Sequence, residues 1–250
     1  MSALQEQYAL GRSPQEYARL GRQAEILKPM TRRFFAEAGI ESGMRVLDLG
    51  SGAGDICMLL AEMVGSGGSV IGLDIDQDAL LHAQERVDAA GLSNVTFVHS
   101  DFAHYIPKAP VDAIVGRLVL MYQDDPAAAL TKLTQYLRPG GVVAFLEPWF
   151  QSPSGPDSTT KTAITCMVET LRRSGAHVDL GPRLHRVFLA AGLPLPNIRF
   201  EMVVDPREDS PLYDFIADTV AQLRLKLSNI EFPARMGWMY RPLRDAYARK

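Results

Sequence analysis

This sequence has few cysteines, no long apolar run and no large excess of one charge. Its only cysteines among 250 residues are Cys57 and Cys166, and both lie in apolar stretches with helical spacing. This argues against a disulfide framework or a thiolate metal site and favours a reducing compartment, the cytoplasm. No apolar stretch approaches the roughly 20 residues that cross a bilayer. The N-terminus also lacks the basic start and apolar run of a secretory signal.

The charged residues are nearly even in sign. The chain has 26 Lys and Arg against 29 Asp and Glu, which leaves a net charge of −3. This composition offers no general attraction to nucleic acid, so we expect no nucleic-acid partner. Apolar residues make up 47% of the chain, as expected for a globular protein that buries a core.

Short apolar strands alternate with amphipathic helices through the first 150 residues. The predicted strands are residues 45–49, 69–74, 95–99, 111–116 and 142–147. The predicted helices are residues 14–38, 55–64, 77–90 and 126–137, and Pro29 is expected to bend or break the first of them. This alternation indicates crossover connections, and hence an α/β fold with a doubly wound, mainly parallel sheet.

The alternation fails after residue 148. Residues 151–158 are rich in Ser, Pro and Gly and predict a loop. Beyond the loop, the pattern predicts helices over 159–174, 184–191 and 212–227 and a sixth strand over 197–204. Residues 228–250 show no clear strand pattern.

The most informative stretch is the glycine-rich loop Gly50-Ser51-Gly52-Ala53-Gly54, which follows the first strand. Glycines at alternate positions let the backbone pass close to a ligand, and the amides that begin the next helix attract a carboxylate. The alternative is a tight turn without a ligand. A dinucleotide site is disfavoured, because Asp55 occupies the third glycine position and would face a diphosphate unfavourably.

Carboxylates follow the second and third strands. Asp74 lies about 20 residues after the glycine loop, where a carboxylate accepts both ribose hydroxyls of a nucleoside. Asp76 is better explained as a helix N-cap. Asp101 is a candidate acceptor for the amino group of adenine, with Phe102 or Ile75 against the ring, although taken alone it fits a turn.

Five motifs occur in a recognisable order: VLDLGSGAGD, VIGLDID, VTFVHSDF, VDAIVGRLVLMY and LRPGGVVAFLEP. Over residues 20–150 they resemble the class I S-adenosylmethionine-dependent methyltransferases, above all the small-molecule branch that includes ubiquinone and menaquinone biosynthesis enzymes. The resemblance implies a Rossmann-like fold and S-adenosylmethionine as cofactor. The residues implied to line its site are Gly50, Ser51, Gly52, Asp74, Ile75, Asp101 and Phe102. Arg117 would lie beside the methionine part or the substrate mouth, or else be a structural arginine at a strand end.

The resemblance also predicts how the rest of the chain is organised. Residues 1–40 would form a helical lid that brings Tyr8 and Gln23 to the cofactor, and residues 41–150 would form the cofactor-binding core. Residues 151–250 would form a cap insertion and complete the sheet, all within one compact domain. The family normally ends with a seventh, antiparallel strand, which no pattern after Leu227 predicts. The alternatives for that segment are a cap, a homodimer contact, or a strand without the usual pattern.

Methyl transfer from a sulfonium requires alignment rather than a nucleophilic side chain, and a general base only when the acceptor atom must lose a proton. The candidate catalytic residues, near the carboxyl edge of the sheet, are Glu147, His104 and Tyr122. Glu147 fits equally well as the partner of a structural cation, and His104 as a surface residue. No cluster of His, Cys, Asp and Glu has metal-ligand spacing, so we expect no metal.

The acceptor is expected to be a small molecule. Apolar and aromatic residues in the predicted cap favour an apolar or aromatic acceptor, methylated on oxygen, carbon or nitrogen. An NAD-dependent oxidoreductase is disfavoured by Asp55 and by the lack of a Tyr-x-x-x-Lys pair. A non-catalytic nucleoside-binding module is disfavoured because the glycine loop, Asp74 and Asp101 are all intact.

Overall fold

The strands of the computed structural model form one five-stranded parallel sheet. It consists of β1 (Arg45–Leu49), β2 (Ser69–Asp74), β3 (Val95–His99), β4 (Val111–Arg117) and β5 (Leu137–Leu146). Their order is β3-β2-β1-β4-β5, and each neighbouring pair is parallel. The chain adds β2 and β3 on one side of β1 and then β4 and β5 on its other side, so the strand order reverses between β1 and β4. Ligands of such sheets bind at this reversal, outside the carboxyl ends of the strands. The predicted doubly wound α/β fold is confirmed.

The structure describes residues 14–102, 104–150, 158–203, 207 and 209–226. Its helices are α1 (Pro14–Glu37), α2 (Asp55–Val64), α3 (Gln77–Ala89), α4 (Pro126–Thr134), α5 (Ser158–Arg173), α6 (Leu180–Ala190) and α7 (Pro211–Lys226), with a 3₁₀ turn at Leu120–Tyr122. None of these helices is long and apolar enough to cross a membrane. The predicted alternatives for residues 228–250 lie outside the described residues.

The central strands are buried on both faces, which is why they read as continuous apolar runs. Val46 in β1 and Val115 in β4 are fully buried, and they share one core cluster with Phe35 of α1 and Leu60 of α2. Crossover helices that cover a parallel sheet place the loops at the carboxyl ends of the strands, where a ligand can reach them.

Two local predictions at the edge of the sheet are wrong. Helix α4 ends at Thr134, and β5 begins at Leu137, five residues earlier than predicted. The register places Leu137 opposite Val111, with an irregularity between Val111 and Ala113. Pro139 is accommodated there because β5 has a neighbour on only one side in the described sheet, and an edge strand tolerates a missing amide.

Two further predictions depend on tertiary packing. Pro29 lies inside α1 without ending it, so of the predicted bend or break the break is absent, and Ala24 and Phe35 on either side of it are buried. The predicted strand over 197–204 is absent from its described part, residues 197–203. Phe200 and Met202, which would belong to the apolar face of this strand, are exposed. An alternating apolar pattern forms a strand when its apolar face packs against other buried side chains.

The chain divides into two compact units. The second unit, residues 27–149 and 179–201, contains the whole sheet; the first comprises the described parts of residues 1–26, 150–178 and 202–250. In the first unit, the buried Arg19 forms an ion pair with Glu16 at 2.7 Å and donates to Thr219 of α7 at 3.4 Å. The predicted organisation into residues 1–40, 41–150 and 151–250 stays a prediction.

Candidate active site

The glycine-rich loop follows β1 at the reversal of strand order. Gly50, Gly52 and Gly54 all have positive φ, at 65°, 49° and 82°, a region that glycine enters without cost. A β-carbon on Gly50 would overlap Cγ2 of Val119, and one on Gly54 would lie 3.0 Å from Cβ of Ala83. A β-carbon on Gly52 would meet nothing within 4 Å. Gly50 and Gly54 therefore serve packing, whereas Gly52 borders open space.

This difference predicts distinct effects of alanine at two of these glycines. Gly50→Ala should lower the free energy of unfolding by about 2 kcal/mol, because it combines a backbone strain with an overlap in a packed region. Gly52→Ala should cost roughly 1–2 kcal/mol from the backbone alone, yet weaken S-adenosylhomocysteine binding about tenfold by filling the open space. Urea unfolding and calorimetry measure the two effects. Unchanged affinity in Gly52→Ala would place the ligand elsewhere.

Ser51 carries a buried polar atom that has no hydrogen-bond partner among the described residues. Its amide donates to the carbonyl of Leu73 at 2.8 Å, which ties the loop to β2. Its hydroxyl is buried and forms no hydrogen bond with any of the described residues. Buried hydroxyls in folded proteins are normally hydrogen-bonded, so this atom is available to a polar group of a ligand next to Gly52.

Asp74 connects the ends of two loops. One carboxylate oxygen accepts the amide of Gly52 and the other accepts the amide of Asp76, both at 2.8 Å. Burial raises the pKa of Asp74, and these amides act in the opposite direction. A carboxylate has about four acceptor positions, so Asp74 can still accept hydroxyl groups.

Asp76 caps α3 by accepting the amides of Asp78 and Ala79, which confirms its interpretation as an N-cap.

Two further acids at this site were not predicted as functional. Asp48 in β1 is 1% exposed and accepts the thiol of Cys57 at 3.1 Å. Burial raises the pKa of Asp48 to about 7, while the Cys57 thiol and Arg117 act in the opposite direction. Asp55 begins α2 and pairs with Arg86 at 2.7 Å. The signal for Asp48 was an acid inside an apolar strand, which is rare without a function or a partner.

The acids outnumber the arginines around the glycine loop. Asp74 and Asp55 raise the pKa of Asp48, and the arginines next to these acids are Arg86 and Arg117. Like charges repel strongly where water is excluded. A ligand with cationic groups therefore fits this site, whereas a diphosphate does not.

Arg117 ends β4 and is half-buried. It donates to the hydroxyl of Thr31 in α1 at 3.2 Å. Burial lowers its pKa, and the nearby Asp55 and Asp48 oppose that effect. The contact with Thr31 gives Arg117 a structural partner, which favours the structural alternative without excluding a ligand. Its place beside the cofactor stays a prediction.

The predicted adenine residues lie at the ends of β2 and β3. The carbonyl of Asp101 accepts the amides of His104 and Tyr105 at 3.0 and 3.1 Å, so Asp101 starts a turn. Phe102 is buried and Ile75 is half-buried, whereas His104 is exposed. Strand pairing between Asp74 and His99 brings these two strand ends together. An adenine site here stays a prediction.

Glu147 follows β5 and points its carboxylate at the turn after β4. It accepts the amides of Val119, Leu120 and Met121 at 3.1, 2.8 and 3.2 Å. Burial raises its pKa to about 7, and the three amides act in the opposite direction. The partners of Glu147 are thus backbone amides rather than the expected structural cation. Tyr122 ends the same turn and is half-buried.

The remaining residues predicted at the cofactor are Tyr8 and Gln23. Tyr8 lies outside the described residues. Gln23 belongs to the first unit, where it accepts a hydrogen bond from Arg19 at 3.3 Å, and its role at the cofactor stays a prediction. Within the described part of the chain, no three His, Cys, Asp or Glu side chains are grouped so as to hold a metal ion.

Comparison with known proteins decides the family. The family model described as a methyltransferase domain matches residues 40–186, more than half of the chain. The chain belongs to the class I S-adenosylmethionine-dependent methyltransferases. S-adenosylmethionine is accordingly its methyl donor.

Relatives of this methyltransferase include aklanonic acid methyltransferase DauC of Streptomyces sp. strain C5. It is 32% identical over 149 residues, which span 59% of this chain and 67% of DauC. YjhP of Escherichia coli K12 is 31% identical over 85% of this chain and 91% of its own length. Matches to other curated methyltransferases span about a third to a half of those proteins.

A solved structure shares the fold of this methyltransferase. A SAM-dependent methyltransferase from Aquifex aeolicus superposes with a TM-score of 0.53 and 24% identity, covering 67% of this chain and 81% of that one. At this level of identity the likeness shows the fold alone.

Proposed function

We propose that this methyltransferase acts on a small, apolar or aromatic acceptor, and that its cofactor lies against the glycine loop. The observation that carries the cofactor site is the buried hydroxyl of Ser51, without a partner among the described residues, beside the open space at Gly52. The excess of acids around this loop fits the sulfonium and ammonium of S-adenosylmethionine.

Each part of the cofactor has a proposed partner. Ser51 and Gly52 would hold the amino-acid end, where the first amides of α2 favour a carboxylate. Asp74 would accept the ribose hydroxyls, in addition to the two amides that already orient its carboxylate. Asp101, with Phe102 and Ile75, would bind adenine.

The bound cofactor supplies an activated methyl group on a sulfonium. The residues of the chain would hold the acceptor atom in line with that group, and such alignment removes about 7–11 kcal/mol of barrier. His104 and Tyr122 remain candidates for a base when the acceptor atom loses a proton. His104 is exposed and Tyr122 half-buried, so both are accessible to a substrate.

An exposed aromatic pair supports an apolar acceptor. Trp149 and Phe200 lie in the second unit with ring centroids 4.8 Å apart, and they are 46% and 53% exposed. Trp149 comes three residues after the end of β5, at the carboxyl side of the sheet. Large exposed aromatic side chains are typical of binding surfaces. The name of DauC, a relative, likewise points to an organic small molecule.

Two reduced cysteines and a net charge of −3 support a cytoplasmic enzyme without a nucleic-acid substrate.

Ligand titration tests this function. We expect S-adenosylmethionine and S-adenosylhomocysteine to bind in calorimetry, and NAD to give no heat, since its diphosphate would face Asp55. A screen of apolar acids, phenols and quinones with labelled methyl donor, with bulk RNA as a parallel substrate, tests the acceptor. Binding of NAD alone would refute the cofactor site, and labelling of RNA alone would refute the small-molecule acceptor.

A further inference from the structure

We infer that Glu147 is a positioning residue, whose carboxylate holds the turn formed by residues 118–122 and thereby sets how that turn packs against the glycine loop. This role depends on the proposed function only where it predicts an effect of Glu147 on ligand binding. The contacts of the carboxylate are independent of any ligand.

The turn has a backbone that requires an external restraint. Leu118 has φ 55° and is the only residue other than glycine with positive φ in the described part of the chain. That region is unfavourable for a leucine and persists only where surrounding contacts enforce it. The contacts come from the end of β5: the carbonyl of Leu146 accepts the amide of Leu118 at 2.8 Å, and the carboxylate of Glu147 accepts the next three amides.

Val119 transmits the position of the turn to the glycine loop. A β-carbon on Gly50 would overlap Val119, and one on Gly116 would lie 2.7 Å from its Cγ1. Val119 is therefore packed between β4 and the loop that follows β1. The amide of Val119 is one of the three that Glu147 holds, so a displaced turn would move this side chain against Gly50.

The same contacts argue against Glu147 as a general base. Oε1 accepts two amides and Oε2 accepts a third, which leaves about one acceptor position free. A base needs an oxygen that faces the acceptor atom. The carboxylate of Glu147 faces the backbone of the turn.

Hydrogen exchange tests this role without a known acceptor. At about pH 8, where the carboxylate is ionised, Glu147→Gln should speed exchange of the amides of residues 119–121 about tenfold or more, because an amide side chain replaces a charged acceptor. Added S-adenosylhomocysteine should slow exchange over residues 49–55 in both proteins, but over 118–122 only in the parent protein. Glu62→Gln, at an exposed glutamate of α2, is the matched control and should change neither segment.

A second variant separates this role from a general loss of folding. Val119→Ala leaves the carboxylate in place, so the amides of residues 119–121 should keep their slow exchange while S-adenosylhomocysteine affinity falls. Unchanged exchange in Glu147→Gln, or fast exchange in Val119→Ala, would overturn the inference. Loss of turnover in Glu147→Gln, with unchanged exchange of the amides of residues 119–121, would instead assign Glu147 as a general base. If the parent protein bound no S-adenosylhomocysteine, the proposed function would fail, while exchange in the free protein would still test Glu147.

Discussion

Replacing Asp74 with alanine is expected to weaken S-adenosylhomocysteine binding roughly 100-fold, since a hydrogen bond to a charged group contributes about 1.5–3 kcal/mol and two ribose hydroxyls would lose their acceptor. The substitution also releases the amide of Gly52, which Asp74 accepts at 2.8 Å. The glycine loop would then lose one of its links to the end of β2, while the amide of Ser51 would still donate to the carbonyl of Leu73. Calorimetry measures the affinity.

The neighbouring Asp76 provides the control for this prediction. It is an acid two residues away that caps α3, and Asp76→Ala should cost about 1 kcal/mol of stability with little loss of affinity. Asp74→Asn retains one oxygen acceptor and should bind with intermediate affinity. Equal affinities in Asp74→Ala and the parent protein would show that the ribose contact lies elsewhere.

Replacing Asp48 with asparagine is expected to change how stability depends on pH. Burial raises the pKa of Asp48 from an ordinary 3.8 to about 7. Between these values the folded protein holds a proton that the unfolded chain has released. The free energy of unfolding therefore falls as the pH rises through this range, by roughly 3–4 kcal/mol for this group. Asparagine cannot titrate, so Asp48→Asn should lack this decrease.

Urea unfolding at a series of pH values measures the effect. The parent protein and Asp48→Asn should be similarly stable near pH 4, and the variant should be more stable by roughly 3–4 kcal/mol near pH 8. Glu147 has a raised pKa too, but it is present in both proteins and cancels in the comparison. Cys57→Ala removes the thiol that lowers the pKa of Asp48, so it should move the decrease to higher pH. Parallel stability curves for the parent and Asp48→Asn would contradict the assignment.

Desolvated carboxyl groups at this site lower the stability of the folded protein. Asp48 is buried next to the glycine loop and Glu147 is half-buried next to the turn after β4, and desolvation opposes the ionisation of both carboxyl groups. A neutral replacement of Asp48 is expected to stabilise the fold above about pH 7, because buried charges are costly unless well paired. Glu147→Gln should instead loosen residues 118–122, because three amides lose a charged acceptor.

The strands near the glycine loop were predictable because their signals are local. The predicted bounds of β1, β2 and β3 match the structure, since each is an apolar run ended by a polar residue or a glycine. Gly91 directly follows Ala90, the C-cap of α3, and has a positive φ of 67°; glycine after an apolar helical pattern is a local signal for such an end. Where the run was interrupted, as at Pro139 and Gly140 in β5, the same reasoning placed the strand too late.

The sequence by itself determined the alternating α/β order, the glycine loop after β1 and the acid after β2, because strand length, glycine spacing and capping depend on residues close in the chain. The tertiary structure decided what the buried acids do. Glu147 binds amides 26 to 28 residues earlier in the chain, and Asp48 is affected by Arg117 and Asp74. Burial and pairing of this kind arise only when distant segments pack together, so a local pattern can mark Asp48 as an unusual acid in an apolar strand but cannot reveal its partners.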